Sequence, residues 1–200
     1  IQGFTILIIG NAFRFQGKLA EAIDYHQKAL ALSRRAKDTY LSVIIMSRLI
    51  DIYRVAGRVE LSLKTCKDAQ TLIRAHQDKI GVTTFIEGYL SLRISSTYYE
   101  HNELEEALKF NNIGFELAKQ WGAYDSLSLG YFNFCKIYQA LGKPEKAKSY
   151  LEEFQKGYPF EDRFQNKMAL AYKAELALRN GDDYTADYWL RAEGLQINDD

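Results

Sequence analysis

A short phrase of helix end, turn and helix start recurs five times along this 200-residue chain, and no other feature limits its fold so strongly. The turn residues are Gly17, Gly57, Asn102, Gly142 and Gly181, separated by 40, 45, 40 and 39 residues. Five places after each comes a small residue: Ala22, Ser62, Ala107, Ala147 and Ala186. Four places before comes an aromatic in four copies (Phe13, Tyr53, Tyr98, Tyr138), with Ala177 in the fifth. Seven places before, the residue is small in four copies (Gly10, Ser95, Cys135, Ala174), and Ile50 departs in the second. Each choice has a physical cause. Glycine or asparagine tolerates the left-handed conformation that ends a helix. A small residue at the start of the second helix lets it approach the first closely, and the aromatic fills the seam between them. Pro144 stands at a first helical position, where no backbone N–H is needed.

Small, aromatic, glycine, then alanine is the grammar of tetratricopeptide repeats. Their usual period is about 34 residues, and the longer period here implies longer helices or linkers. HEAT and armadillo repeats share a period near 40, so the residue grammar decides. The expected fold is all-α, a right-handed superhelix of about five tetratricopeptide-like repeats. Helix pairs are expected at 3–15 and 19–35, 39–55 and 59–77, 82–100 and 103–120, 124–140 and 144–156, and 162–179 and 183–193. A strand over Thr5–Ile9 is disfavoured because it falls inside the repeat frame. The whole of 1–200 reads as one repeat domain, with repeats at 3–38, 39–80, 81–122, 123–160 and 161–200. Because the chain starts with Ile1 rather than Met, it reads as a segment of something larger.

Composition narrows the function. Lys plus Arg and Asp plus Glu each number 26, so the chain lacks the basic surplus that phosphate neutralisation by DNA- or RNA-binding surfaces requires. Cys66 and Cys135 are the two cysteines; without a CxxC or a histidine at ligand spacing, no disulfide framework or metal site is expected. A reducing cytoplasm fits that usage. The longest apolar run, Ile6 to Ile9, is far too short to span a membrane. Histidines 26, 76 and 101 lie in three repeats with no nucleophile at motif spacing, and read as surface or seam residues. Glu105-Glu106 and Glu152-Glu153 are adjacent on helices and therefore diverge, which suits solvated faces and not an acid/base pair. Trp121 and Trp189, near helix ends, read as packing residues. The expectation is a binding module, not an enzyme.

One resemblance goes further. Gly17 to Ala22 followed by Tyr25 to Leu32 resembles the superhelical domain of large ATP-dependent, LuxR-type transcriptional regulators of the MalT-like class. So do Trp121-Gly122 after a second helix, and Ala186 to Leu195, which reads A-x-x-W…GL. The resemblance implies a bacterial, cytoplasmic regulator with a nucleotide switch upstream and a helix-turn-helix DNA reader downstream. The superhelix between them would receive a small-molecule inducer or a regulatory protein or peptide. ATP would belong to the upstream module; this segment has no G-x-x-x-x-G-K-[ST] and no cofactor is expected in it.

In such a superhelix the first helix of each pair lines the concave face. Counting from each turn, the candidate lining is Asn11 and Arg14, then Ser47, Asp51 and Arg54, then Tyr89, Ser96, Tyr99 and Glu100, then Lys136 and Gln139, then Glu175 and Arg179. This mixed lining suits a sugar, by stacking and hydrogen bonds, or a peptide. The carboxylate-clamp pattern of chaperone-binding repeats does not fit, because Leu7 stands where lysine is needed and Arg48 where asparagine is needed.

Overall fold

The computed structural model describes residues 2–75 and 82–157, together with residues 173, 174, 177, 178, 181, 182, 184, 188 and 191. The eight helices among them are α1 (Gln2–Phe15), α2 (Leu19–Arg35), α3 (Thr39–Val55), α4 (Val59–Arg74), α5 (Val82–Glu100), α6 (Leu104–Trp121), α7 (Tyr124–Ala140) and α8 (Pro144–Gly157). Four helix pairs thus form where the repeat grammar places them, and Thr5–Ile9 is helix. One end differs: α4 stops at Arg74, with Ala75 as its cap, instead of running to 77. The fifth expected pair lies mostly outside the described residues; positions 173, 174, 177, 178, 184, 188 and 191 are helical.

The five turns are built alike. Gly17, Gly57, Asn102, Gly142 and Gly181 all have positive φ, between 61° and 73°. In each, the residue after the turn donates its N–H to the carbonyl five places back, the one belonging to the aromatic position: Lys18 to Phe13 at 3.0 Å, Arg58 to Tyr53 at 2.7 Å, Glu103 to Tyr98 at 2.9 Å, Lys143 to Tyr138 at 2.9 Å and Asp182 to Ala177 at 2.9 Å. This is the six-to-one bond of a Schellman helix end, and it explains why turn and aromatic keep a fixed spacing. Two further left-handed residues, Lys37 and Gly122, sit in the links between pairs. At the first link the Asp38 side chain accepts from the Leu41 N–H at 2.9 Å and caps α3.

Within each of the first four pairs the residue seven before the turn meets the residue five after it. Ala22, Ser62, Ala107 and Ala147 are all fully buried. A small polar atom ties this seam in three copies. Ser62 Oγ donates to the Ile50 carbonyl at 3.1 Å, Ser95 Oγ to the Ala107 carbonyl at 2.8 Å, and Cys135 Sγ to the Ala147 carbonyl at 3.3 Å. The bulk of Ile50 is thus tolerated with Ser62 opposite. In the first copy Gly10 leaves room for His26, whose Nδ1–H donates to the Ala22 carbonyl at 2.6 Å. A methyl group on Gly10 would stand 2.5 Å from His26 Nδ1 and 2.7 Å from its Cε1. His26 is fully buried and held by that bond, so it cannot step aside. Gly10→Ala is expected to cost about 1–3 kcal/mol, read as a lower urea midpoint with an unchanged slope.

The aromatic position fills the seam by stacking. Phe13 lies 5.1 Å from Tyr25, Tyr98 5.5 Å from Phe110, and Tyr138 5.5 Å from Tyr150, all near-parallel. Cys66 and Cys135 are buried free thiols, and burial pushes the Cys66 thiol up to about 12, so it is inert. Trp121, by contrast, is about half exposed (47%), so packing absorbs only part of it.

The chain divides into two compact units, 1–130 and 131–200, and the division falls within α7. In the first unit, first helices pack on first helices, α1 on α3 and α3 on α5, while α2, α4 and α6 make no contact with one another among the described residues. The first helices therefore form a continuous inner layer with the second helices outside it. No helix among the described residues is long and apolar enough to cross a membrane.

Candidate functional site

Positions three, six and nine before each turn fall on one face of a first helix, because three-residue steps nearly complete a helical turn. In the first unit these ranks are Arg14, Asn11 and Ile8 on α1, then Arg54, Asp51 and Arg48 on α3, then Tyr99, Ser96 and Arg93 on α5. The structure joins them across the inner layer. Arg93 Nε donates to Asp51 Oδ2 at 2.8 Å, and both side chains are largely buried. The Arg93 guanidinium lies 3.7 Å from the centre of the Tyr89 ring, and Arg48 lies 5.6 Å from the same ring. Arg54 pairs with Glu100 at 3.5 Å. The result is a ladder from α3 to α5 in which one tyrosine ring faces two arginines.

Asp51, Arg54, Tyr89 and Glu100 are thus brought together as the repeat register suggests. Asn11 and Arg14 sit at the α1 end, where Asn11 meets His26 and Arg14 lies 4.4 Å over the Phe15 ring. Ser96 is half-buried and bonds back to the Leu92 carbonyl at 3.2 Å; Tyr99 is half-buried. Ser47 is a correction: ten places before the turn it faces the helix seam, is fully buried, and donates to the Ile44 carbonyl at 2.7 Å. The same rank holds Leu7 and Leu92, both buried. Lys136 and Gln139 lie half-buried on α7 in the second unit. Glu175 and Arg179 lie outside the described residues. The expected lining omitted Arg48 and Arg93, although an arginine at the same rank of two successive repeats was the signal that could have found them.

The charge on this face is unbalanced. Asp51 and Glu100 are taken by Arg93 and Arg54. Arg14 and Arg48 have no carboxylate at salt-bridge distance among the described residues, and both push the His26 pKa down through their charge. Three buried polar atoms here have no hydrogen-bond partner among the described residues: Arg14 Nε, Arg54 Nε and the Tyr89 hydroxyl. Buried donors in that state are costly unless something bonds them.

The histidines respond to opposite surroundings. Burial lowers the His26 pKa most; the Ala22 carbonyl opposes, and Arg14 and Arg48 add to the lowering. His26 is therefore neutral, with its proton on Nδ1. Its bare Nε2 lies 3.3 Å from Asn11 Oδ1, and a half-turn of that amide lets Nδ2 donate to it instead. His101 sits with Nε2 3.1 Å from Glu60 and Nδ1 3.1 Å from Glu103, and bonding to Glu60 is the main cause of its raised pKa. The stability consequences have opposite signs. Unfolded chains bind the extra proton at His26 below about pH 6.5, so stability falls on acidification from there. At His101 the folded chain holds the extra proton, so its contribution is complete below about pH 6.5 and is lost as pH rises through the raised value. His26→Gln should flatten the acidic limb of the urea midpoint against pH, and His101→Gln the limb above neutrality; an unchanged limb in either variant counts against the corresponding environment.

The family model described as the MalT-like TPR region matches residues 1–200. A protein from Arabidopsis thaliana, kinesin light chain-related 2, is 32% identical over 103 residues. That match covers 50% of this chain and 15% of the relative, so the chain spans a small part of that relative's length. A putative kinesin light chain from Podosopora anserina with nearly identical TPR-like repeats superimposes with a TM-score of 0.67 at 13% identity, covering 94% of this chain and 90% of that one. BtubC from P. vanneervenii gives 0.69 at 14% identity over 98% and 82% of the two chains. The apo form of RapI gives 0.61 at 15% identity over 95% and 52%. These structures share the fold: an all-α repeat array of the tetratricopeptide superhelical class.

Proposed function

We propose, since the chain belongs to the family of MalT-like TPR regions, that it is a binding module whose inner first-helix face receives an extended protein segment bearing carboxylates. The observation that supports this most is the surplus of arginine on that face. Arg14 and Arg48 lack ion-pair partners among the described residues, and Arg48 stands over the ring of Tyr89, whose hydroxyl is buried without a hydrogen bond among those residues. A carboxylate laid along the ladder would meet Arg48 and Arg14, and a neighbouring backbone carbonyl could accept from Tyr89. Kinesin light chain-type relatives, by sequence and by fold, suit a scaffold that acts through contact with other proteins. No reaction is assigned to this segment.

The finer reading is the signal-receiving domain of a LuxR-type regulator in a bacterial cytoplasm. It rests on the Trp121-Gly122 and Ala186-to-Leu195 motifs and on the family match. The signal would be a small-molecule inducer or a regulatory protein on the same face, and ATP would bind an upstream module. Binding would act by preferring one conformation of the array. The parent coding sequence separates the readings: a P-loop module on one side and a helix-turn-helix on the other supports the regulator, and their absence leaves the scaffold. For an inducer, a thermal melt across sugars and small metabolites should show stabilisation of about 2.7 kcal/mol at a hundredfold excess over Kd.

A further inference from the structure

The repeat register exposes a second surface, at the outer edge of α1. Consider the positions 12, 8 and 5 residues before each turn. On α3 they are Ile45, Leu49 and Ile52, exposed by only 0%, 2% and 1%, and they pack with Leu7, Ala22 and Ala29 of the preceding pair. On α5 they are Leu90, Ile94 and Thr97, exposed by 1%, 1% and 0%. Leu90 and Ile94 pack with Cys66, Ala69 and Ile73 of α4, and Thr97 Oγ1 lies 3.0 Å from Ser62 Oγ. On α7 the first of these positions is Gly130, buried against the Phe115 ring, with its carbonyl accepting from Asn111 Nδ2 at 2.8 Å. On α3 and α5, and at Gly130 of α7, the preceding pair covers the face.

On α1 the same positions are Thr5, Ile9 and Ala12, and all three are exposed, Ile9 by 38%. Phe4 and Ile8, one place before Thr5 and Ile9, are exposed by 57% and 53%. Phe15 is exposed too, but so is its counterpart Val55, so that position is open in any repeat. Phe4, Ile8, Ile9 and Ala12 together make an apolar face of the kind that soluble surfaces seldom leave open. We propose that this face seats one further helix pair of the same repeat type, supplied by the residues that precede Ile1 in the same polypeptide. The interface it completes is the one already present between α2 and α3 and between α4 and α5, which is why the occupant is a repeat and not an unrelated helix. That pair carries a turn glycine or asparagine about 40 residues before Gly17, and a small residue five places after it.

The test compares Ile9→Glu in two proteins: the 200-residue chain, and the chain extended by its own preceding segment. In the longer chain the substitution lowers the urea midpoint and the amides of residues 5–12 exchange slowly; in the 200-residue chain it leaves the midpoint unchanged. If Ile9→Glu stops the longer chain from folding, Ile9→Ala gives the same comparison. Equal insensitivity in both proteins overturns the proposal, as does a preceding segment without the turn residue. A 200-residue chain that sediments as a dimer, and becomes monomeric with Ile9→Glu, also overturns it, because a second copy is then the occupant.

Discussion

Phe134→Ala is expected to lower stability by about 3–5 kcal/mol, the largest effect of any single substitution considered for this chain. Phe134 is 1% exposed and stacks on Tyr150 with centroids 4.3 Å apart and planes within 16°. Tyr138 lies 6.2 Å from Phe134 and itself stacks on Tyr150, so the three rings form a triangle. Removing the ring strips a cluster of three aromatics that joins α7 to α8, and leaves Phe154, packed on Phe132 and Tyr131, as the other large ring holding that helix. The loss has two parts, the transfer of the ring to water and the cavity left among side chains already fixed by one another. Urea unfolding followed by far-UV circular dichroism measures it. Phe134→Leu should retain most of the stability, at a cost of about 1.5 kcal/mol or less. A loss below about 1 kcal/mol for the alanine variant would mean that the stack does not carry this seam.

Gly114→Val should cost about 2–3 kcal/mol, for the opposite reason. Where α5 crosses α6, Gly88 and Gly114 bring the two backbones together. A Cβ on Gly114 would lie 2.8 Å from the Gly88 carbonyl oxygen and 2.7 Å from Leu92 Cγ. Leu92 is buried and the carbonyl belongs to a helix, so neither yields without moving α5. A Cβ on Gly88 would meet Leu117 Cβ at 2.8 Å but stand 3.6 Å from the Gly114 carbonyl, so its replacement meets one close atom where that of Gly114 meets three. Gly88→Ala should therefore be the milder change. The ranking of the two, more than either value, checks the crossing geometry by urea midpoint.

The repeat frame was legible because it rests on local chemistry. A left-handed turn residue and a packed small residue leave marks at fixed offsets, and these located helices α1 to α8 to within a few residues. The seam at Ile50 was harder to read. Its compensation is a hydroxyl on Ser62, a contact between residues 12 apart that spacing alone does not announce. His26 was read as a surface or seam residue; its burial depends on the room left by Gly10, visible only when both helices are placed. The inner face was legible at the ranks three and six before the turn. Ser47 was misplaced because a small polar residue can serve a helix seam as well as a surface, and its hydroxyl bonds its own helix. Arg48 and Arg93 were passed over because long side chains reach across to a neighbouring helix, and the ring they share, Tyr89, is on only one of the two.

Whether a partner sits on the arginine ladder can be measured directly. The direct measurement is isothermal titration of a partner segment, identified by crosslinking, against the native chain, Arg48→Glu and Lys28→Glu. Arg48 lies on the inner face; Lys28 is exposed on α2, where it pairs with Asp24 and lies over the Tyr25 ring of its own helix. Arg48→Glu is expected to weaken binding about tenfold or more while Lys28→Glu leaves it unchanged. Full affinity in Arg48→Glu, or a loss confined to Lys28→Glu, would place the binding surface on the outer helices and contradict that expectation.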